Sequence, residues 1–307
     1  MPGTSLTVSP VALGCWALGG EGWGEDISEA QADATVQAAL AAGITLFDTA
    51  PIYGRGQADR RLARALGPRI HEVVVATKAG PRFEGDHPIS DLSAENLRRD
   101  VEGSLARLGL ACLPLLQIHW PCEQGTPLLE SLEALERLRE EGLIAHIGLC
   151  NYGPDALEEA RRAGHRVMLQ TPLSLVRRDY EHGLMEAARA TETPVLAYEP
   201  LARGMLTGKF RALPTFPKND VRHDDPRFWA ARFGHFAPRV ERLRQIANKV
   251  DASPAALAVA WAASRPRVVS ALAGAKSPEQ IRESAEALSL LARPGAQRVL
   301  DAVGRAV

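Results

Sequence analysis

Four residues of this sequence could move a proton together. Asp48 and Tyr53 stand in Phe47-Asp48-Thr49-Ala50-Pro51-Ile52-Tyr53-Gly54, Lys78 closes Ala76-Thr77-Lys78, and His119 precedes Trp120-Pro121. Singly, each has a plainer explanation: a solvated lysine, a turn-forming aspartate, a tyrosine or histidine satisfied by packing. Jointly they supply an acid, a cation to modulate it, a carboxylate to hold the cation, and an imidazole. That set suits proton transfer to a carbonyl oxygen.

All four lie at or just past the ends of short apolar runs, so the elements that position them matter. Eight such runs occur: Val11–Cys15, Ile44–Asp48, Val73–Lys78, Leu115–His119, Ala145–Cys150, Val167–Thr171, Val195–Glu199 and Val268–Ala273. Most are continuous rather than alternating, as expected of strands covered on both faces of a parallel sheet. Amphipathic stretches lie between them: Ser28–Ala42, Ser93–Leu108, Leu128–Glu141, Pro154–Ala163, Tyr180–Ala190 and Pro238–Val250. Ser93 and Ser253-Pro254 mark helix starts, and Gly43, Gly109, Gly142 and Gly164 stand where left-handed C-cap residues belong. Strand and helix alternating eight times predict an α/β fold, a (β/α)8 TIM barrel with a parallel eight-stranded core, as one domain over residues 1–307. An open doubly wound sheet is the alternative that pattern alone leaves. Chemistry in such a barrel sits at the C-terminal ends of the strands, where these residues are. Leu206–Trp229, a long loop before the last strand, holds Pro214, Pro217 and Pro226 and no clear period, and reads as a mobile cover with little to hold it in a core.

The segments FDTAPIYG, VVVATKAG, LLQIHWP and IGLCNY, in that order, resemble the signatures of the aldo-keto reductases, and AYEPLARGMLTGKF and AGAKSPEQI resemble that family's two cofactor segments. The LGCWALGG strand is most similar to the bacterial general-reductase branch. The resemblance implies a catalytic set of Asp48, Tyr53, Lys78 and His119. An unperturbed phenol has a pKa near ~10, and the Lys78 ammonium, held by Asp48, is expected to lower it. His119 would orient the carbonyl oxygen, hydride would come from a nicotinamide and the proton from Tyr53.

No G-x-G-x-x-G opens a βαβ unit, so a Rossmann site is not indicated. The resemblance instead places the nicotinamide carboxamide against Asn151 and Gln170 and stacks Tyr198 on the ring, with Gly14, Cys15 and Trp16 near the same pocket. It places the pyrophosphate under the backbone amides of Leu201, Arg203 and Gly204, and the adenosine end at Gly274, Lys276 and Gln280, where a helix over 277–287 begins. Lys276 favours NADP(H) over NAD(H), because a 2′-phosphate wants a cation; Arg282 is a second candidate. Four positions depart from the family pattern: Cys150 for serine, Glu199 for a small polar residue, Cys122 for aspartate and Ser284 for asparagine. Glu199 would repel phosphate unless Arg203 pairs with it.

The function expected is NADPH-dependent, reversible reduction of an aldehyde or ketone. Alternatives are an NAD(P)-dependent sugar or polyol dehydrogenase using the same residues, and a nicotinamide-binding redox sensor or regulatory subunit. Trp16, Trp23 and Trp120 are the expected substrate contacts, with Phe83 and either Trp229 or Phe233 as further aromatics; they suit a small carbonyl or sugar. The formal charge of −1 gives no drive toward nucleic acid or an anionic membrane. The start of the chain lacks a charged segment followed by an apolar one, and no apolar run reaches ~20 residues, so a cytoplasmic enzyme is expected. Cys15, Cys112, Cys122 and Cys150 form no C-x-x-C pair or zinc-like spacing, so free thiols and no metal are expected.

Overall fold

The computed structural model describes Met1 and residues 4–85 and 87–307. Its strands are β1 (Val11–Gly14), β2 (Leu46–Asp48), β3 (Val74–Ala79), β4 (Pro81–Glu84), β5 (His87–Ser90), β6 (Leu115–Ile118), β7 (Ile147–Cys150), β8 (Val167–Pro172), β9 (Val195–Tyr198) and β10 (Val268–Gly274). All except β4 and β5 pair in parallel and close into a barrel in the order β1-β10-β9-β8-β7-β6-β3-β2. This is the eight-stranded (β/α)8 barrel. The antiparallel β4–β5 hairpin stands apart, directly after Lys78 in the chain.

Helices α1 (Glu29–Ala41), α2 (Gln57–Leu66), α3 (Ala94–Leu108), α4 (Leu128–Glu140), α5 (Pro154–Arg162) and α6 (Leu184–Ala190) connect successive barrel strands. Helices α7 (Ala230–Lys249) and α8 (Pro254–Ala263) precede β10, and α9 (Pro278–Ala292) and α10 (Ala296–Ala306) follow it. Local chemistry sets their limits. The hydroxyls of Ser28, Ser93, Ser253 and Ser277 accept the N3 amides of α1, α3, α8 and α9. Gly109 closes α3 in the left-handed conformation at φ 67°.

The core has two parts because strand side chains alternate between faces. Val11, Leu13, Phe47, Val75, Leu116 and Leu169 face outward into the layer between barrel and helices. Ala12, Leu46, Ala76, Leu115, Met168, Leu196 and Leu272 point inward and fill the barrel. Each buried Leu of this kind contributes about 1.5–3 kcal/mol by leaving water. Two residues further along each strand, at the C-terminal rim, the inward positions are Gly14, Asp48, Lys78, Gln117, Gln170, Tyr198 and Gly274. The apolar plug thus supports a polar layer directly above it.

Three segments differ from the sequence reading. Helix α7 begins at Ala230 rather than Pro238, which lies inside it; the apolar residues that anchor its first half are fewer than those of a regular stripe. The stretch expected as one helix over Tyr180–Ala190 is a 3-10 turn (Asp179–Glu181) and α6, separated at Gly183, whose φ is 82°. The long segment after β9 carries its own small core. Phe210, Phe216 and Phe228 meet edge to face with centroids 5.0–5.8 Å apart. It is also paired to another loop, Val221 N–H donating to Gly22 O at 2.9 Å and Asn219 Nδ2 to Gly24 O at 3.0 Å. Aromatic residues without a period form a cluster here because the backbone folds back on itself, which no helix or strand template anticipates.

Candidate active site

Asp48, Lys78, Gln117 and Gln170 come from four barrel strands and meet in the polar layer. Lys78, with no exposed surface, donates to Asp48 Oδ1 at 2.6 Å, to the Thr49 carbonyl at 3.0 Å and to the Tyr53 phenol oxygen at 3.4 Å. Asp48 Oδ2 accepts Gln170 Nε2 at 2.7 Å and Gln117 Nε2 at 3.2 Å. One buried carboxylate therefore collects an ammonium and two amides, which answers the cost of burying charge.

Tyr53 reaches this layer from the turn after β2. The turn is pressed against the backbone near Gly19: a Cβ on Gly19 would lie 2.7 Å from the Tyr53 carbonyl carbon, and Gly54 has φ 56° with Gly19 O against it. Only residues without a side chain fit this approach. Trp16 stacks on the Tyr53 ring (6.0 Å, 21°), Trp23 meets Trp16 edge-on at 5.1 Å, and Trp120 stacks on His119 at 4.5 Å. The His119 ring stands edge-to-face to Tyr53, 5.9 Å between centroids at 82°. His119 Nδ1 is buried without a hydrogen-bond partner.

Burial dominates the acid–base character of these groups. It pushes Tyr53 up to about 12, and the opposing pull of Lys78 does not overcome it. Lys78 acts on the phenol in the expected, lowering direction, and burial outweighs it. Burial also works to neutralise Lys78, yet the carboxylate of Asp48, with Tyr53 and Cys150, outweighs it and keeps the ammonium above its ordinary value. Burial and the Lys78 charge hold His119 neutral, well below its ordinary range.

The remaining expected contacts lie around this layer with varied engagements. Asn151, at φ 67°, donates to His119 O at 3.0 Å and accepts the Tyr198 hydroxyl at 2.8 Å. The Gln170 amide, expected at a nicotinamide, is committed to Asp48, to Gln117 Oε1 and, through its own Oε1, to the Cys150 thiol at 3.5 Å. Cys15 is fully buried with Sγ toward Leu13 O, and burial raises both its pKa and that of Cys150, the latter to about 12. All four cysteines are free thiols. Gly14 and Gly274 are register partners at the rim.

In the turn after β9, Leu201 accepts the Gly204 N–H at 2.9 Å, so that amide is used within the turn rather than left for a phosphate. Arg203 Nε pairs with Glu199 at 2.9 Å, Arg227 joins Glu199 at 2.8 Å, and both arginines also meet Asp225. Burial opposes ionisation of Glu199, but Arg227 and Arg203 hold it below the usual carboxylate range. Lys276 Nζ donates to the carbonyls of Trp23 and Glu25 at 2.9 and 2.7 Å, tying the end of β10 to that loop. Gln280 Oε1 accepts the Lys276 N–H at 2.8 Å, so it serves the cap of α9. Arg282 is exposed and paired with Glu279. Phe233 is buried in the core and Trp229 is exposed, while Phe83 lies under the Arg55 guanidinium at 3.9 Å. Gln117, Thr49 and Arg227 join the site without being among the residues expected there. Gln117 was detectable as a polar residue inside an apolar strand; the other two carry no local signal.

Residues 10–295 match the Aldo/keto reductase family. The chain belongs to that family, and it is an NAD(P)H-dependent oxidoreductase. It is 33% identical over 287 residues to aldo-keto reductase YhdN of Bacillus subtilis (strain 168), covering 92% of this chain and 86% of that one. It is 31% identical over 302 residues to the NADH-specific methylglyoxal reductase of Escherichia coli (strain K12), covering 94% and 92%. The solved structure of the glycerol dehydrogenase AKR11B4 from Gluconobacter oxydans superposes with a TM-score of 0.87 at 34% identity, covering 100% of this chain and 95% of that one. No helix among the described residues is long and apolar enough to cross a membrane.

Proposed function

We propose that this barrel reduces an aldehyde or ketone to the alcohol, with NADPH as cofactor and Tyr53 as the proton donor. The observation that carries the proposal is the hydrogen-bonded chain Asp48–Lys78–Tyr53 with the His119 ring edge-on to the phenol. A bound nicotinamide supplies the hydride. Tyr53 keeps its proton at neutral pH, since burial sets its pKa at about 12, and releases it only to an oxygen that gains negative charge beside it. Lys78 then stabilises the phenolate, and Asp48 keeps Lys78 charged. His119, held neutral by burial and the Lys78 charge, offers the carbonyl oxygen a hydrogen bond from a ring N–H without competing as an acid.

A dinucleotide would meet this rim with some expected donors already engaged, the Gly204 amide at Leu201 O and the Gln170 amide at Asp48. Asn151 and Tyr198 would meet the carboxamide and ring, with Gly14, Cys15, Trp16 and Gln170 behind them. Leu201, Arg203 and Gly204 would lie along the pyrophosphate, and Gly274, Lys276 and Gln280 at the adenosine. Lys276 supports NADPH: an ammonium has three hydrogens, and two carbonyls take two of them. The third can meet a 2′-phosphate. Trp16, Trp23 and Trp120 would border a small carbonyl substrate, as the similarity to a methylglyoxal reductase suggests. Likeness to a glycerol dehydrogenase supports a second reading, polyol oxidation by the same residues. Tyr53→Phe tests the proposal. Turnover of a generic aldehyde should fall at least ~100-fold, with cofactor affinity unchanged. Nearly normal turnover would remove Tyr53 from this role.

A further inference from the structure

Beneath the Tyr53 turn lies an ion pair between a buried aspartate and a partly buried arginine that the chemistry above leaves unused. Asp59, in the first turn of α2, has no exposed surface. Its two oxygens face different neighbours: Oδ1 accepts the Thr49 hydroxyl at 2.7 Å, and Oδ2 accepts Nε of Arg107, from α3, at 2.9 Å. Arg107 also donates to Ser104 Oγ at 3.0 Å. Its Cδ would lie 2.7 Å from a Cβ on Gly56, so the side chain runs flat against the turn that carries Tyr53. Thr49 itself is fully buried, and its backbone N–H donates to Ala76 O at 2.8 Å.

Thr49 connects this pair to the centre of the site. The Lys78 ammonium has three hydrogens. Asp48 takes one, the Thr49 carbonyl takes the second, and the third is directed at the phenol oxygen 3.4 Å away. A tetrahedral group with two hydrogens fixed has no freedom left for the third, so the place of the Thr49 carbonyl decides where Lys78 points. That residue is held at both ends, by β3 through its N–H and by Asp59 through its hydroxyl. The buried Thr49 hydroxyl and Asp59 carboxylate contribute no more to packing than apolar groups of equal volume would; what they add is direction.

We infer that Thr49, Asp59 and Arg107 are positioning residues that aim Lys78 at Tyr53. The inference rests on the roles proposed above for Lys78 and Tyr53, and its test separates the two. Thr49→Val keeps the volume and the backbone carbonyl but removes the hydroxyl. It should lower kcat for aldehyde reduction ~10-fold while KM and NADPH affinity stay within ~2-fold, the signature of lost orientation rather than lost binding. Thr49→Ser, which restores the hydroxyl, should recover kcat to within ~2-fold of the parent. Asp59→Asn breaks the next link and should split kcat from KM in the same direction. A Thr49→Val protein with lower melting temperature but parent kcat overturns the inference, as does equal impairment of the Val and Ser variants. If Tyr53→Phe is inactive and Thr49→Val is normal, only the positioning role falls. If Tyr53→Phe turns over normally, both fall.

Discussion

Replacing Asp48 by asparagine removes one charge and changes the volume very little, yet the structure implies a large effect. Lys78 has no exposed surface, and its carboxylate partner lies 2.6 Å away. Removing one partner of a buried pair costs about 3–5 kcal/mol, because the other charge is left uncompensated. Rearranged hydrogen bonds cannot recover this. If the oxygen of the introduced amide faced Lys78, its NH2 would meet the amide donors of Gln170 and Gln117; turned round, that NH2 would face the ammonium. Flipping Gln170 would sacrifice its acceptance of the Cys150 thiol.

An unfolding entropy of about 2 cal/mol/K per residue, over 307 residues, translates that cost into a melting temperature lower by about 5–8 °C. The pH dependence carries a definite sign. In the parent, Lys78 is raised above its ordinary value, so its contribution is fully present below the unfolded lysine pKa and is lost only as pH rises through the folded one. In Asp48→Asn burial is no longer outweighed, and the folded pKa falls below the unfolded value. The unfolded chain then binds more protons, so the variant's deficit shrinks as pH rises toward the unfolded lysine pKa. Calorimetry of both proteins at several pH values, beside aldehyde reduction, reads all of this. Reduction should fall on the order of 100-fold as Lys78 loses its charge. A variant melting within about 1 °C of the parent at every pH would refute the reasoning, because the pair would then carry no net interaction.

Two other outcomes follow from the site. For aldehyde reduction, kcat should stay flat from about pH 6 to about pH 9, because Tyr53 keeps its proton up to about 12 and His119 stays neutral; a titration near about pH 7 that disappears in His119→Gln would contradict the neutral imidazole. Lys276→Ala should weaken NADPH binding by about 1–3 kcal/mol and spare NADH, as read by fluorescence titration. Equal losses for both would reduce Lys276 to its tie with Trp23 and Glu25.

The rhythm of this protein is legible in its chain. Eight apolar runs separated by helical stretches became eight barrel strands because continuous apolar character is what burial on both faces demands. The same runs stop where Asp48, Lys78 and His119 begin, which puts those residues at strand ends, and Tyr53 in the turn beyond. Period-two alternation then sets Asp48, Lys78, Gln117 and Gln170 in one inward layer, two residues above Leu46, Ala76, Leu115 and Met168. Which of these groups touch, and what that does to their protons, was settled by the folded barrel alone. The raised Tyr53 pKa is a property of enclosure rather than of residue type, so no list of neighbours in the chain reveals it. The pairing of Glu199 with Arg227, 28 positions apart, and of Asp59 with Arg107, 48 apart, likewise depends on where irregular turns return. Hydrophobic patterns encode which face is buried; partners across a barrel rim are chosen by the geometry of closure.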